Sequence, residues 1–287
     1  MNDAIAKSGT FRIGGQLEVH RLGYGAMQLT GKGIFGPPAD REEAKRVLRR
    51  AVELGIDLID TADSYGPDVN EEIIAEALHP YPAGLVIATK GGLVRPGPNQ
   101  WVSNGNPRHL RERCEGSLRR LRLERIPLYQ LHRIDPKIPA ETQFETLAEL
   151  RSEGKIEHIG LSEVSVGDIE RAKRFFPIAS VQNRYNVKER AQWEDVVAWC
   201  ERTKTAFLPW FPLASGKLAR TDALEEVARK RNATPSQIAL AWLLARSPVM
   251  IPIPGTSSVA HLEENAAAGA IQLDAGEMAA LDGAGDR

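Results

Sequence analysis

The feature that most constrains this chain is an alternation of short apolar runs with longer amphipathic stretches, repeated without a linker from Leu22 onward. Strand-like runs fall at 21–27, 56–60, 85–89, 127–131, 156–161, 178–181, 205–208 and 249–253. Helices are predicted after them at 41–54, 70–78, 107–123, 140–152, 166–175, 190–203, 222–231, 235–246, 258–268 and 275–283. Asp40, Pro107 and the Thr234-Pro235 pair are good helix starts, and Gly55 and Gly154 are good stops. A spacing of roughly 30 to 35 residues per unit suits an α/β fold of the (β/α)8 TIM-barrel kind, with extra C-terminal helices. An open doubly wound sheet fits less well, because no glycine-rich fingerprint follows the first strand. Ahead of the barrel, 1–9 reads as a loose tail and 10–19 as a hairpin around Gly14-Gly15. Residues 1–287 are expected to form one domain.

Composition narrows the class of partner. The chain is 42% hydrophobic and 26% charged, as in soluble globular proteins. A formal net charge of -1 gives no electrostatic reason to expect nucleic acid or an anionic membrane. Neither a long apolar run nor a basic-then-apolar leader is seen, so a cytoplasmic protein is expected. Cys114 and Cys200 lack metal-ligand spacing and read as reduced thiols; no metal site is expected.

Three strand ends carry reactive side chains. The second run ends in Asp60-Thr61-Ala62-Asp63-Ser64-Tyr65-Gly66, the third ends at Lys90, and the fourth at His132. In a parallel barrel these ends share one mouth. Tyrosine is a weak acid, with an ordinary pKa of about 10. A nearby ammonium stabilises tyrosinate and makes the hydroxyl a better proton donor. Lys90 can supply that charge, Asp60 can hold Lys90, and His132 can bind a substrate oxygen or share the proton with Tyr65. Singly, each residue is more simply read as a loop cap, packing, a solvated lysine or a backbone-bonded histidine. Together, at three successive strand exits, they suit protonation of a carbonyl oxygen while another group attacks the carbon.

The stretch 55–66, with Thr89-Lys90 and Tyr129-Gln130-Leu131-His132, resembles the aldo-keto reductases. The resemblance runs from Arg21-Leu22-Gly23-Tyr24-Gly25 to Glu263-Glu264-Asn265, and is greatest toward bacterial members resembling pyridoxal reductases. It implies a (β/α)8 barrel holding a nicotinamide cofactor, with hydride transfer to an aldehyde or ketone. Tyr65 is then the acid, supported by Asp60, Lys90 and His132.

The same resemblance implies a seat for the cofactor. It assigns Gly25, Met27 and Asp60 to the cofactor, and Ser162, Glu163 and Gln182 to the nicotinamide carboxamide. Glu163 stands where the family usually has Asn, and a carboxylate accepts hydrogen bonds without donating unless protonated. Trp210 falls where an aromatic ring stacks on the nicotinamide, although core packing explains a tryptophan equally simply. Phe211, Pro212, Leu213, Ser215, Gly216 and Lys217 match the pyrophosphate strap. Gly255, Thr256, Ser257, Ser258 and His261 match the seat of the adenosine 2′-phosphate, with Glu264 and Asn265 near adenine; a plain serine-capped helix start uses the same residues. NADPH is the expected cofactor. The absence of Lys and Arg from 252–265 leaves NADH open.

Met27, Tyr65, Trp101, His132 and Arg133 are the candidate substrate-lining residues. Trp101 lies in a long Gly-, Pro- and Asn-rich loop, 91–106, suited to a flap. A small-molecule carbonyl compound is the expected partner and a monomer the expected state. Two other readings stand beside the reductase. One is a dehydrogenase oxidising an alcohol or sugar. The other is a cofactor-binding regulatory subunit resembling potassium-channel β subunits, since a barrel by itself says nothing of function.

Overall fold

The computed structural model describes residues 3–213 and 222–283. In chain order the first elements are α1 (Asp3–Lys7), β1 (Thr10–Ile13), β2 (Leu17–His20), β3 (Tyr24–Gly25), α2 (Arg41–Glu53), β4 (Leu58–Asp60) and α3 (Val69–Leu78). Next come β5 (Val86–Gly91), β6 (Leu93–Val94), β7 (Val102–Ser103), α4 (Pro107–Leu121), β8 (Ile126–Leu131), α5 (Ala140–Ser152) and β9 (Ile156–Ser162). The chain continues through α6 (Val166–Ala172), β10 (Ile178–Gln182), α7 (Glu194–Thr203) and β11 (Ala206–Phe207). It ends in α8 (Asp222–Arg231), α9 (Pro235–Arg246), α10 (Val259–Ala267) and α11 (Ala275–Asp282).

Seven strands form one parallel sheet in the order β11-β10-β9-β8-β5-β4-β3. The eighth predicted strand is not a ladder strand; it contributes one bridge, Phe207 to Met250. It nevertheless bonds to both edges of the sheet. Phe207 N–H donates to Val249 O and Ile251 N–H to Phe207 O on one side; Gly23 N–H donates to Pro252 O and Gly25 N–H to Pro254 O on the other. The sheet therefore curls into a (β/α)8 barrel. Pro252 and Pro254 have no N–H to give, which limits this segment to accepting there.

Closure at this seam demands glycine twice. A Cβ on Gly25 would sit 2.7 Å from Ile253 O, and one on Gly255 would sit 2.8 Å from Gly25 O. Both glycines thus serve backbone approach between the first and last barrel segments.

Helices pack on the outside by ordinary amphipathic spacing. In α2 the buried positions are Ala44, Val47, Leu48 and Ala51, one stripe at helical period, and Asp40 caps the helix by accepting from Glu43 N–H at 2.8 Å. The antiparallel hairpin β1–β2 puts Ile13 and Val19, both fully buried, into one cluster with Leu58, Val86, Leu128, Ala206 and Ile251. It plugs the end of the barrel where the strands begin. His20 N–H donates to the Asp57 carboxylate at 2.8 Å and fastens the plug.

Two expectations are corrected. The N-terminal stretch expected to be loose contains α1, with Ile5 1% exposed in the core beside α2 and α10. The loop 91–106 is also not plain: β6 and β7 pair antiparallel within it, Leu93 with Ser103 and Val94 with Val102.

Candidate active site

The mouth of the barrel forms where β4, β5 and β8 end, and the four expected residues meet there. Lys90 Nζ lies 2.6 Å from Asp60 Oδ2, 2.8 Å from Thr61 O and 3.4 Å from Tyr65 Oη. His132 packs its ring against that of Tyr65 at 5.8 Å, edge to face. All four side chains are buried. Strand register explains the convergence, since Lys90 pairs with Gln130 across β5–β8 and Asp60 with Ala88 across β4–β5.

Asp60 is held from several directions. Its Oδ1 accepts from Gln182 Nε2 at 2.9 Å and Gln130 Nε2 at 3.1 Å, while Oδ2 accepts from Lys90. Gln130 appears in the sequence motif but was given no role there. Its place on β8 two residues before His132, which follows the strand's end, puts the two on one face and was the available signal.

The electrostatics follow from burial and charge. Burial pulls the Lys90 ammonium down, but the Asp60 carboxylate and Tyr65 more than offset it, so Lys90 stays protonated. Burial raises the Tyr65 pKa, and the Lys90 charge opposes that rise. His132 is held well below the usual imidazole range by burial and by Lys90, Arg133 and Arg95. It is therefore neutral, with Nδ1 3.3 Å from Ser64 Oγ.

The loop carrying Tyr65 is fixed by contacts that local sequence did not announce. Thr61 Oγ1 donates to Asn70 Oδ1 at 2.6 Å, and Asn70 Nδ2 donates to Ala26 O at 2.8 Å. Arg113 Nε from α4 donates to the fully buried Asp63 at 2.7 Å. Burial pushes the Asp63 carboxyl up to about 7, against the pull of Arg113. Arg95, also missed, donates to Gly33 O, Ile34 O, Ser64 O and Gln100 O at 2.7–3.1 Å. Its partners are carbonyls, which every residue owns, so no sequence motif marks it.

Of the substrate candidates, Trp101 and Arg133 reach the mouth. Trp101, 37% exposed, lies edge-on to Tyr65 and to His132 with ring centres 6.3 Å apart in each pair. Arg133 Nη1 donates to His132 O at 2.6 Å and Ser162 Oγ at 2.9 Å. Met27 is half-buried on a 3-10 turn, 26–28, and its carbonyl accepts from Thr30 Oγ1.

The expected cofactor residues divide into groups. Ser162 and Gln182 end β9 and β10, paired across the strands and buried. The Ser162 hydroxyl accepts from Arg133 and keeps its proton to donate. Gln182 Nε2 is taken by Asp60 and Gln130, while its side-chain oxygen Oε1 makes no hydrogen bond among the described residues. One donor and one acceptor side by side fit a carboxamide. Glu163 is tied on one oxygen: its Oε1 accepts from Trp210 Nε1 and Arg184 N–H, both at 2.6 Å. Trp210 is half-buried, with Arg133 and Arg184 guanidinium carbons 5.9 and 5.7 Å from its ring centre, and so can offer a flat face. Phe211 follows with φ 61°, its ring 5.8 Å from Trp210; Pro212 is buried and Leu213 packs on the core. Ser215, Gly216 and Lys217 lie outside the described residues.

At the last site, Thr256 is buried, and its carbonyl accepts from Tyr24 Oη at 2.6 Å. Ser258 caps α10 by accepting from His261 N–H at 3.5 Å, and Ser257 and His261 are exposed. Glu264 accepts from Thr234 Oγ1 at 2.6 Å and thus also supports the start of α9; Asn265 is buried. Among the described residues no group of three or more His, Cys, Asp or Glu side chains is placed to hold a metal, and no helix is long and apolar enough to cross a membrane.

Comparison with known proteins identifies the family. The Aldo/keto reductase family model matches residues 21–286. An uncharacterized oxidoreductase of Schizosaccharomyces pombe (strain 972) is 51% identical, over 96% of this chain and 90% of its own length. The pyridoxine 4-dehydrogenase of Escherichia coli (strain K12) is 43% identical, over 96% of this chain and 98% of its own. Among solved structures, an aldo/keto reductase from Klebsiella pneumoniae in complex with NADP and acetate superposes with a TM-score of 0.80 at 28% identity, covering 95% of this chain and 94% of that one.

Proposed function

The chain belongs to the aldo/keto reductase family of oxidoreductases, and we propose that it reduces an aldehyde or ketone to an alcohol with NADPH, using Tyr65 as the proton donor. The observation that carries this reading is the position of Lys90 Nζ between Asp60 Oδ2 at 2.6 Å and Tyr65 Oη at 3.4 Å, in a buried mouth beside neutral His132. When bound, the reduced nicotinamide supplies the hydride. Tyr65 gives its proton to the developing alkoxide, and Lys90 stabilises the tyrosinate left behind. His132, lacking charge, orients the carbonyl oxygen without competing for the proton. Ser162 and Gln182 would hold the carboxamide and Trp210 would flank the ring. Glu163 supports Trp210 instead of binding the carboxamide.

NADP in the Klebsiella pneumoniae neighbour favours NADPH. The name of the Escherichia coli relative favours a second reading, oxidation of an alcohol such as pyridoxine, because the same groups run both ways. The test is a titration with NADPH and NADH followed by tryptophan fluorescence, together with turnover of aldehydes, ketones and pyridoxal, and of alcohols with the oxidised cofactors. Saturable quenching with carbonyl reduction is expected, and Tyr65→Phe should lower kcat by about a hundredfold or more with nearly unchanged cofactor affinity. Wild-type turnover in that variant removes Tyr65 from its role. Binding without turnover of any substrate overturns the reductase reading.

A further inference from the structure

Among the described residues, three arginines that are buried or half-buried have no carboxylate within ion-pairing distance: Arg21, Arg95 and Arg133. Arg21 instead donates to the carbonyls of Leu244, Ser247 and Met250. Arg95 donates to four carbonyls. Arg133 differs, because only its Nη1 is engaged, with His132 O and Ser162 Oγ. Its Nε and Nη2 bond to nothing among the described residues, yet neither is sealed from solvent. An open guanidinium edge is thus held beside His132, at the exit of β8, and its charge acts on both Tyr65 and His132.

The surrounding charge is unbalanced in the same direction. Lys90 and Asp60 offset each other. Arg133 feels one further carboxylate, Glu163, whose Oε1 serves Trp210 and the Arg184 N–H, and Arg95 meets only carbonyl oxygens. The mouth therefore holds about one uncompensated positive charge near a neutral reaction centre. A guanidinium fork matches a planar oxyanion through two parallel hydrogen bonds, and a half-dry wall strengthens the match.

We propose that Arg133 receives an anionic group of the substrate, so that the carbonyl compound this site favours carries a carboxylate. Nη1 keeps the guanidinium seated while Nε and Nη2 take the carboxylate oxygens. The proposal rests on the reductase reading above and names its substrate class.

The test compares 4-carboxybenzaldehyde with 4-methylbenzaldehyde, of similar shape and different charge, in wild type, Arg133→Met and Arg133→Lys. Intrinsic reactivity cancels when each variant is compared with wild type on the same aldehyde. Arg133→Met is expected to lose at least about tenfold more kcat/KM on the carboxylated aldehyde than on the methyl one, mainly through KM, with Arg133→Lys recovering part of the loss. Benzoate should bind the NADP-loaded wild type saturably and bind Arg133→Met more weakly. Equal losses on both aldehydes, with unchanged benzoate binding, overturn the proposal. So does a loss that weaker NADPH binding fully accounts for. Benzoate binding that depends on Arg133, with neither aldehyde reduced, supports the anion site and counts against the reductase reading instead.

Discussion

The guanidinium carbon of Arg95 lies 3.5 Å from the centre of the Trp101 ring. Trp101 in turn lies against both Tyr65 and His132, so Arg95 fixes one wall of the mouth from outside the group of four. Four carbonyl bonds from three separate loops leave Arg95 little freedom, and its 8% exposure keeps water from replacing them.

Arg95→Met should therefore raise KM for carbonyl substrates roughly tenfold, the equivalent of about 1.4 kcal/mol, with a smaller effect on kcat. Loss of the buried donors should also lower stability by about 1–3 kcal/mol. Steady-state kinetics and urea unfolding read the two effects. An unchanged KM alongside lowered stability would leave Arg95 a purely structural role.

Lys90 and Asp60 are 0% and 4% exposed at the side chain, so removing one strands the other. Asp60→Asn should cost about 3–5 kcal/mol, because Lys90 becomes an unpaired buried cation. The double change Asp60→Asn with Lys90→Met should cost less than the sum of the single changes. Chemical denaturation of the four proteins measures the coupling, and strict additivity would contradict the pairing.

His132 sets a pH dependence whose sign follows from its lowered pKa. In the unfolded chain the imidazole titrates near 6.5. Between that value and the depressed folded one, the unfolded state binds more protons, so stability falls as pH drops below about 6.5 and this group contributes no slope above it. The urea midpoint of wild type should decline more steeply from about pH 6.5 to 5 than that of His132→Asn. Parallel declines would mean that His132 is not held neutral.

Glu163 should act on cofactor affinity through Trp210. Glu163→Ala should weaken NADPH binding by about tenfold, and Glu163→Gln by less, since its amide oxygen still accepts from the indole. In a Trp210→Phe background the Glu163→Ala effect should nearly vanish. A full effect there would return Glu163 to direct contact with the cofactor.

Asp60, Tyr65, Lys90 and His132 were legible as one group because few residue types carry proton-transfer chemistry, and because strand ends mark one face of a barrel. Lys90 and His132 fall at or just beyond strand ends that apolar run length alone reveals. Helix bounds such as Ala140–Ser152 and Asp222–Arg231 were legible for a local reason too, apolar residues at helical spacing, with Gly154 as a stop after the first. The eighth strand was only half legible: its apolar character shows, but Pro252 and Pro254 break the regular ladder while still accepting bonds across the seam.

What the sequence by itself determined is thus the alternation, the barrel and the four residues at its mouth. Tertiary structure decided how they are held. Glu163 Oε1 meets an indole N–H and a backbone N–H brought from the segments that follow β11 and β10, a contact with Trp210 that its place in the sequence does not announce. Arg95 found four carbonyls and Arg133 found only two acceptors, a difference no composition or spacing encodes. Backbone carbonyls are chemically alike all along a chain, so which arginine is saturated and which keeps an open edge is settled only by how distant loops meet.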